Sequence, residues 1–242
     1  MNVFGQTHIG FVRENNQDAL EYGTLNDTTQ YAVVCDGMGG ANGGNIASKI
    51  AVEVIGSRIR DAYREGTGQV SPEHLLTSAM ATANIGVYDR AQREEMLSGM
   101  GTTVVAAITC GDTAYISHVG DSRLYLFRDG VLTQITRDHS VVQEMIESGQ
   151  ITEEEARSHP RKNYITRALG VVSEEYGEYD EITLIAGDRL LLCTDGLTNE
   201  VSAADMVRLL ALPTEEATQA LVRAALDGGG MDNITVTLMD ID

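Results

Sequence analysis

The apolar residues of this chain fall mostly into short runs, and that limits the architectures open to it. YAVVC (31–35), TTVVAAIT (102–109), TAYISHV (113–119), DRLLLCT (188–194) and ITVTLMDI (234–241) each have the length of a strand and are rich in β-branched or large apolar residues. VFGQTH (3–8), ALEY (19–22), SRLYLF (122–127) and EYDEITLI (178–185) extend the set, and Arg128-Asp129-Gly130 reads as a hairpin turn. Helical spacing comes in pairs. Ile46, Ile50, Val54, Ile55, Ile59 and Ala62 mark a helix over 45–64. Leu76, Ala79, Ala83 and Val87 mark another over 72–97, with Ser71 as N-cap and Pro72 in its first turn. A second pair is expected near 202–211 and 214–226.

Strands grouped between helix pairs, without one-for-one alternation, argue against a doubly wound parallel sheet. They favour antiparallel sheets with the helix pairs on their outer faces. The expected fold class is α+β: a four-layer αββα sandwich of two mainly antiparallel sheets. Residues 138–170 are polar and charged, helical only around SVVQEMIESG, and read as an insertion or flap. With no repeat, low-complexity tract or linker, residues 1–242 are expected to form a single domain.

Thirty-six acidic residues face 17 basic ones, a net charge of -19. Such a surface repels nucleic acid and anionic lipid, so neither is an expected partner. Cys35, Cys110 and Cys193 are odd in number, fit no zinc spacing and sit in or beside apolar runs. They read as buried free thiols in a reducing cytoplasm. Met1 to Gly10 has neither the basic start nor the apolar core of a signal peptide, and no apolar stretch is long enough to span a bilayer.

The chemistry is concentrated in aspartates at strand ends. YAVVCDGMGGANGG (31–44) runs from a strand into Asp36 and a string of glycines. It is not a P-loop, because no Lys follows until Lys49, nor a dinucleotide fingerprint, because Asn42 stands where the third glycine belongs. A turn or a metal ligand remains. Asp121 follows AYISHVG, Asp195 follows RLLLCT, Asp232 precedes the last strand and Asp18 lies in RENNQD. No basic residue adjoins Asp36, Asp195 or Asp232 in sequence. If these carboxylates converge, cations must offset their repulsion and desolvation. An all-oxygen set suits Mg²⁺ or Mn²⁺ better than Zn²⁺.

GFVRENNQD (10–18), VVCDGMGG (33–40), GTTVVAAI (101–108), HVGDSRLYLFRDG (118–130), TRDHS (136–140), ITRALG (165–170), LLLCTDGLTN (191–199) and DNITV (232–236), taken in this order, resemble the metal-dependent Ser/Thr protein phosphatases of the PPM or type 2C family, in its compact bacterial form. The resemblance implies a binuclear Mn²⁺ or Mg²⁺ centre with Asp36 bridging, Gly37 offering its carbonyl through a bare backbone, and Asp195 and Asp232 completing the second ion's ligands. Asp18 would act through a water, and Asp121 with Asp195 would hold a third ion near the flap. Arg13 would clamp the substrate phosphate, and Asn233 would brace the Asp232 turn. The implied reaction is hydrolysis of phosphoserine or phosphothreonine by a water bridging the two ions, reversing a bacterial Ser/Thr kinase in a cytoplasmic monomer.

Two alternatives share the fold: a non-catalytic regulatory protein, and a phosphatase dedicated to one partner. The positions where relatives carry a candidate acid histidine hold Met38 and Ala41 here. His118 and His139 read as structural.

Overall fold

The computed structural model describes residues 2–64 and 71–242, with the side chains of residues 40–42 and 64 outside the described set. Two sheets carry the fold. One has the order β1 (Val3–His8), β11 (Ile234–Asp240), β10 (Arg189–Cys193), β7 (Arg123–Arg128) and β8 (Val131–Gln134). The other runs β2 (Asp18–Asn26), β3 (Thr29–Met38), β5 (Val104–Cys110), β6 (Thr113–Val119) and β9 (Glu178–Thr183), with β4 (Gly101–Thr102) paired to the end of β3. The pairings described are antiparallel throughout.

Strand periodicity divides the core into layers, because successive side chains face opposite sides of a sheet. Tyr31, Val33 and Cys35 of β3 and Val104, Ala106 and Ile108 of β5 face helices α1 (Gly40–Arg64) and α2 (Pro72–Arg93), where Ile55, Ile59, Leu76 and Met80 are fully buried. Their alternates Ala32, Val34, Val105 and Ala107 face the other sheet and meet Leu190, Leu192 and Met239. Leu191 and Cys193 of β10, with Ile234, Val236 and Leu238 of β11, turn outward onto α6 (Ala203–Leu209) and α7 (Thr214–Gly228). These four layers are the αββα sandwich expected. Ser71 caps α2 by accepting the His74 N–H at 3.2 Å, with Pro72 opening the helix.

Several boundaries differ from expectation. Helix α2 ends at Arg93, and 95–97 is a 3₁₀ turn. The glycines before Asn45 belong to α1 itself: a Cβ on Gly43 would lie 2.9 Å from the Met100 Cβ, and one on Gly44 2.6 Å from the Gly37 carbonyl oxygen. Bare backbone lets the helix start close to β3 and the 99–101 turn. β8 is the second strand of the hairpin expected at Arg128-Asp129-Gly130; it closes through Asp129 (φ 51) and Gly130 (φ 78), a left-handed pair suited to a two-residue turn. Unforeseen were α4 (Glu153–Arg157), opened by a Thr152–Glu155 capping box, and the single turn α5 (Asp195–Thr198).

The flap lies between β8 and β9 and contains α3 (Val141–Glu147) and α4. Its ends are tied together by the Ser140–Ile165 bridge and by Thr166 N–H donating to the His139 carbonyl at 2.8 Å. Cys35 and Cys193 are buried and Cys110 is partly exposed, so not all three thiols are sealed in the core; all are free. No helix among the described residues is long and apolar enough to cross a membrane.

Candidate active site

The two sheets meet at one end in a cleft of about 470 Å³. Asp36, Asp121, Asp195 and Asp232 all line it, with Arg13, Gly37 and Met38. Asp36 lies near the end of a strand, Asp121 and Asp195 follow one and Asp232 precedes one, so sheet registration places each of them.

Asp36 sits near the end of β3, opposite Asp18 of β2 in the ladder. Its backbone is fixed by the Gly-Thr-Thr segment. Asp36 N–H donates to Thr103 Oγ1 at 3.0 Å, and its carbonyl accepts from Thr103 N–H at 2.8 Å and Thr102 Oγ1 at 2.9 Å. Thr103 Oγ1 is also 2.6 Å from Ser122 Oγ, which ties the Asp36 strand to the turn carrying Asp121. Packing alone requires glycine at position 37. A Cβ there would lie 2.0 Å from the Gly44 carbonyl oxygen and 2.6 Å from that of Gln17, so helix packing excludes any side chain.

Asp18 lies beneath the cleft, buried, and is stitched to the other sheet. Its Oδ2 accepts from Thr235 Oγ1 at 2.6 Å and Thr194 Oγ1 at 2.9 Å. Neither threonine stands out in the sequence; the only available signal was their place beside Asp195 and in DNIT. Asp195 opens α5 and accepts from Asn199 Nδ2 at 2.9 Å. Gly196, next in the chain, would place a Cβ 2.0 Å from the Asn233 carbonyl oxygen, so the Asp195 and Asp232 segments touch through backbone.

Asn233 braces more than its own turn. It donates to the carbonyls of Ile9 (2.8 Å) and Asn15 (3.1 Å) and accepts from Gln17 N–H (2.7 Å), holding the loop that carries Arg13. Arg13 Nη2 donates to Asp232 Oδ2 at 2.6 Å. A basic residue absent from the aspartates' sequence neighbourhood is thus present in space.

The electrostatics are those of crowded carboxylates. Burial, then Asp195 and Asp232, push Asp18 up to about 7, although Thr235 and Thr194 pull it back. Burial and the facing Asp195 push Asp121 up to about 8. Asp36 is raised well above the ordinary carboxylate range by burial, then by Asp18, Asp195, Asp121 and Asp232, and Asp195 is raised by burial and Asp232. Asp18 Oδ1 and Asp195 Oδ1 are buried without a hydrogen-bond partner. Orphaned anionic oxygens at the meeting point of four or five carboxylates fit a hard divalent cation, which supplies the positive charge they lack.

A second cluster, His118, His139 and Glu178, brings its ligand atoms within 4.8 Å of one another. Its hydrogen bonds oppose metal binding. His139 Nδ1 accepts the Gly120 N–H at 3.0 Å, which leaves the proton on Nε2, and Nε2 lies 3.0 Å from Glu178 Oε2. The Arg167 guanidinium stands 3.0 Å from that same Nε2. The two imidazoles stack nearly parallel (6°, centroids 4.9 Å), so their in-plane lone pairs share no focus. His139 instead pins the flap: its own N–H donates back to the Gly120 carbonyl at 2.9 Å, beside Asp121. Among the described residues no histidine lines the cleft, and Met38 does. The Ala41 side chain lies outside the described residues. The flap contributes Asn163 and Ile165 to the lining, residues the motifs did not single out.

The model of a family described as Protein phosphatase 2C matches residues 5–228. The serine/threonine phosphatase stp of Listeria monocytogenes is 38% identical over 247 residues, covering 100% of this chain and 96% of that protein. Protein phosphatase PhpP of Streptococcus pneumoniae is 36% identical over 244 residues, covering 100% and 98%. Among solved structures, serine/threonine phosphatase Stp1 from Staphylococcus aureus superposes with a TM-score of 0.91 at 34% identity, covering 99% of this chain and 94% of that one. The catalytic domain of serine threonine protein phosphatase PstP, solved in complex with two manganese ions, gives 0.87 at 34% identity, covering 100% and 98%. Sequence likeness from end to end, on the same fold, establishes that the chain belongs to the protein phosphatase 2C family.

Proposed function

We propose that this phosphatase hydrolyses phosphoserine and phosphothreonine in proteins, with residues 1–242 acting as one domain and the acidic cleft holding Mn²⁺ or Mg²⁺. The observation that carries the reading is the convergence of Asp36, Asp121, Asp195 and Asp232 on one cleft beside Arg13, with buried carboxylate oxygens left unpartnered. In this reading Asp36, the Gly37 carbonyl, Asp195 and Asp232 would hold two ions, with Asp36 shared between them. Asp18 would act from beneath through a water. Asp121 with Asp195 would hold a third ion on the flap side. Such ions supply Lewis acidity toward phosphoryl oxygens and make water more acidic.

Arg13 leaves Asp232 to grip the phosphoryl oxygens, since a guanidinium fork matches their geometry. It orients the ester so that water attacks phosphorus in line with the Ser or Thr oxygen. The ester P–O bond breaks, and the products are the free hydroxyl and inorganic phosphate. Met38 has no proton to give, so the leaving oxygen takes its proton from water in the open cleft. The substrates are phosphoproteins of a bacterial Ser/Thr kinase, and the enzyme acts as a cytoplasmic monomer.

The test is phosphate release from a phosphothreonine peptide with Mn²⁺, with Mg²⁺, and with chelator. Turnover with metal and its loss with chelator is expected. Metal-independent turnover, or none in any condition, would overturn the reading.

A further inference from the structure

Three large apolar side chains stand exposed at the rim of the cleft: Phe11 (69%), Val12 (57%) and Met231 (58%). Single exposed apolar residues are ordinary. These are held together by backbone. Phe11 N–H donates to the Gly230 carbonyl at 2.7 Å, and the Phe11 ring lies so close to Gly230 that a Cβ there would be 2.9 Å from it. The His8 ring supports Phe11 edge-on at 6.3 Å. Residues 11–13 and 230–232 therefore run side by side and end together in the Arg13–Asp232 contact. Gly230 has φ +56, and any side chain there would displace the ring. This apolar shoulder neighbours the pair that faces the phosphate.

The surrounding charge selects its occupant. The chain carries -19 overall, and Glu14 with the aspartates lines the cleft. Acidic residues flanking a phosphate are repelled there and basic ones attracted, while the uncharged shoulder itself gains contact energy only from apolar surface. Phe11 and Arg13 are two residues apart, hence at most about 7 Å from Cα to Cα. An extended peptide advances about 3.3 Å per residue. A side chain two or three residues from a phosphate held by Arg13 reaches the shoulder.

We propose that Phe11, Val12 and Met231 form an apolar subsite for an extended phosphopeptide, taking a large aliphatic or aromatic side chain two or three residues from the phosphorylated Ser or Thr. This rests on the phosphatase reading above and adds a substrate preference to it.

The test compares phosphothreonine peptides that differ only at the second and third flanking positions, with Leu, Ser or Asp on either side. p-Nitrophenyl phosphate serves as a substrate without flanks. At saturating Mn²⁺, kcat/KM for the Leu peptide is expected to exceed that for the Ser peptide about tenfold, with Asp lowest. In Phe11→Ser/Met231→Ser the Leu-to-Ser ratio is expected to fall to within about twofold, and in Phe11→Tyr to persist. Fluorescence anisotropy with the same peptides on chelator-treated protein should show the same ranking in Kd. An equal Leu-to-Ser ratio in wild type and double variant, with p-nitrophenyl phosphate still turned over, overturns the subsite and leaves the phosphatase standing. No turnover of any phosphate ester overturns both. Sedimentation showing a dimer that the double variant converts to monomer overturns the proposal by assigning the shoulder to a second copy of the chain.

Discussion

Arg13 and Asp232 are joined by a 2.6 Å hydrogen bond across the mouth of the cleft, 219 residues apart in sequence. The guanidinium is largely exposed, so the pair adds little to stability; its interest lies in competition. Asp232 cannot offer the same oxygen fully to Arg13 and to a cation. Arg13→Ala is expected to raise KM for a phosphopeptide and lower kcat/KM roughly 10- to 100-fold, as for loss of one or two hydrogen bonds to a charged group. Mn²⁺ affinity should stay equal or rise, measured by calorimetry. A weakened metal affinity would make Arg13 part of the metal site rather than a rival for it.

Asp36→Asn and Asp232→Asn should abolish hydrolysis and reduce Mn²⁺ affinity at least tenfold, because an amide brings no negative charge to the cation. Asp36 has the larger effect expected, since four other carboxylates crowd it. Undiminished titration enthalpy and affinity in both variants would remove these residues from the metal site.

The acidic cluster makes the metal-free protein sensitive to alkali. Asp18 is held near 7 and Asp121 near 8, whereas both titrate near about 3.9 when unfolded. Between those values the native state binds more protons than the unfolded one. Their contribution is therefore fully present below about pH 4 and is lost as pH rises through 7 and 8. With chelator, Tm should fall between pH 5.5 and 8.5. Mn²⁺ at about 100 times its Kd adds about 2.7 kcal/mol, or roughly 5–10 °C at this chain length; at one fixed concentration it adds most at the higher pH, where Kd is lower. Binding should release protons into a weakly buffered solution. A chelated protein with a flat Tm over this range would contradict the assignment.

Thr235→Val removes a hydroxyl that donates to Asp18 at 2.6 Å and leaves the shape nearly unchanged. That hydroxyl is also 2.7 Å from Thr7 Oγ1, so two hydrogen bonds are lost; at about 1–3 kcal/mol for each buried one, Tm should fall by at least about 3 °C. Mn²⁺ should recover part of it. Unchanged melting would mean that Asp18 finds another donor.

Gly37→Ala forces a Cβ to within 2.0 Å of the Gly44 carbonyl oxygen, where backbone cannot yield, and should cost about 3 kcal/mol or more. Gly149→Ala, in open space at φ +70, should cost only the strain of a left-handed residue, about 1–2 kcal/mol. Chemical denaturation of the two variants gives the comparison directly.

The layers were legible because burial writes itself into alternation: Ala32 and Val34 face one way, Val33 and Cys35 the other. The aspartates were legible because each borders an apolar strand. What stayed hidden was contact between distant segments. Nothing near Asp18 in sequence announces Thr194 and Thr235, and nothing near Gly37 announces Gly44 as its packing partner. β8 was legible only through its hairpin turn, because its four residues are mostly exposed and carry no alternation to read. α4 escaped because five residues hold too little pattern, although its capping box was present in the letters.

Asp18 belongs to one sheet, and the threonines that grip it belong to or adjoin the other. Asp36 likewise comes from the first sheet, while Asp195 and Asp232 border strands of the second. Neither half of the sandwich owns the whole proposed ligand set. A nascent or damaged chain with one sheet formed would present two or three scattered acids and no chelating pocket. On the proposed metal assignment, metal uptake and hydrolysis therefore require both halves to have closed in register.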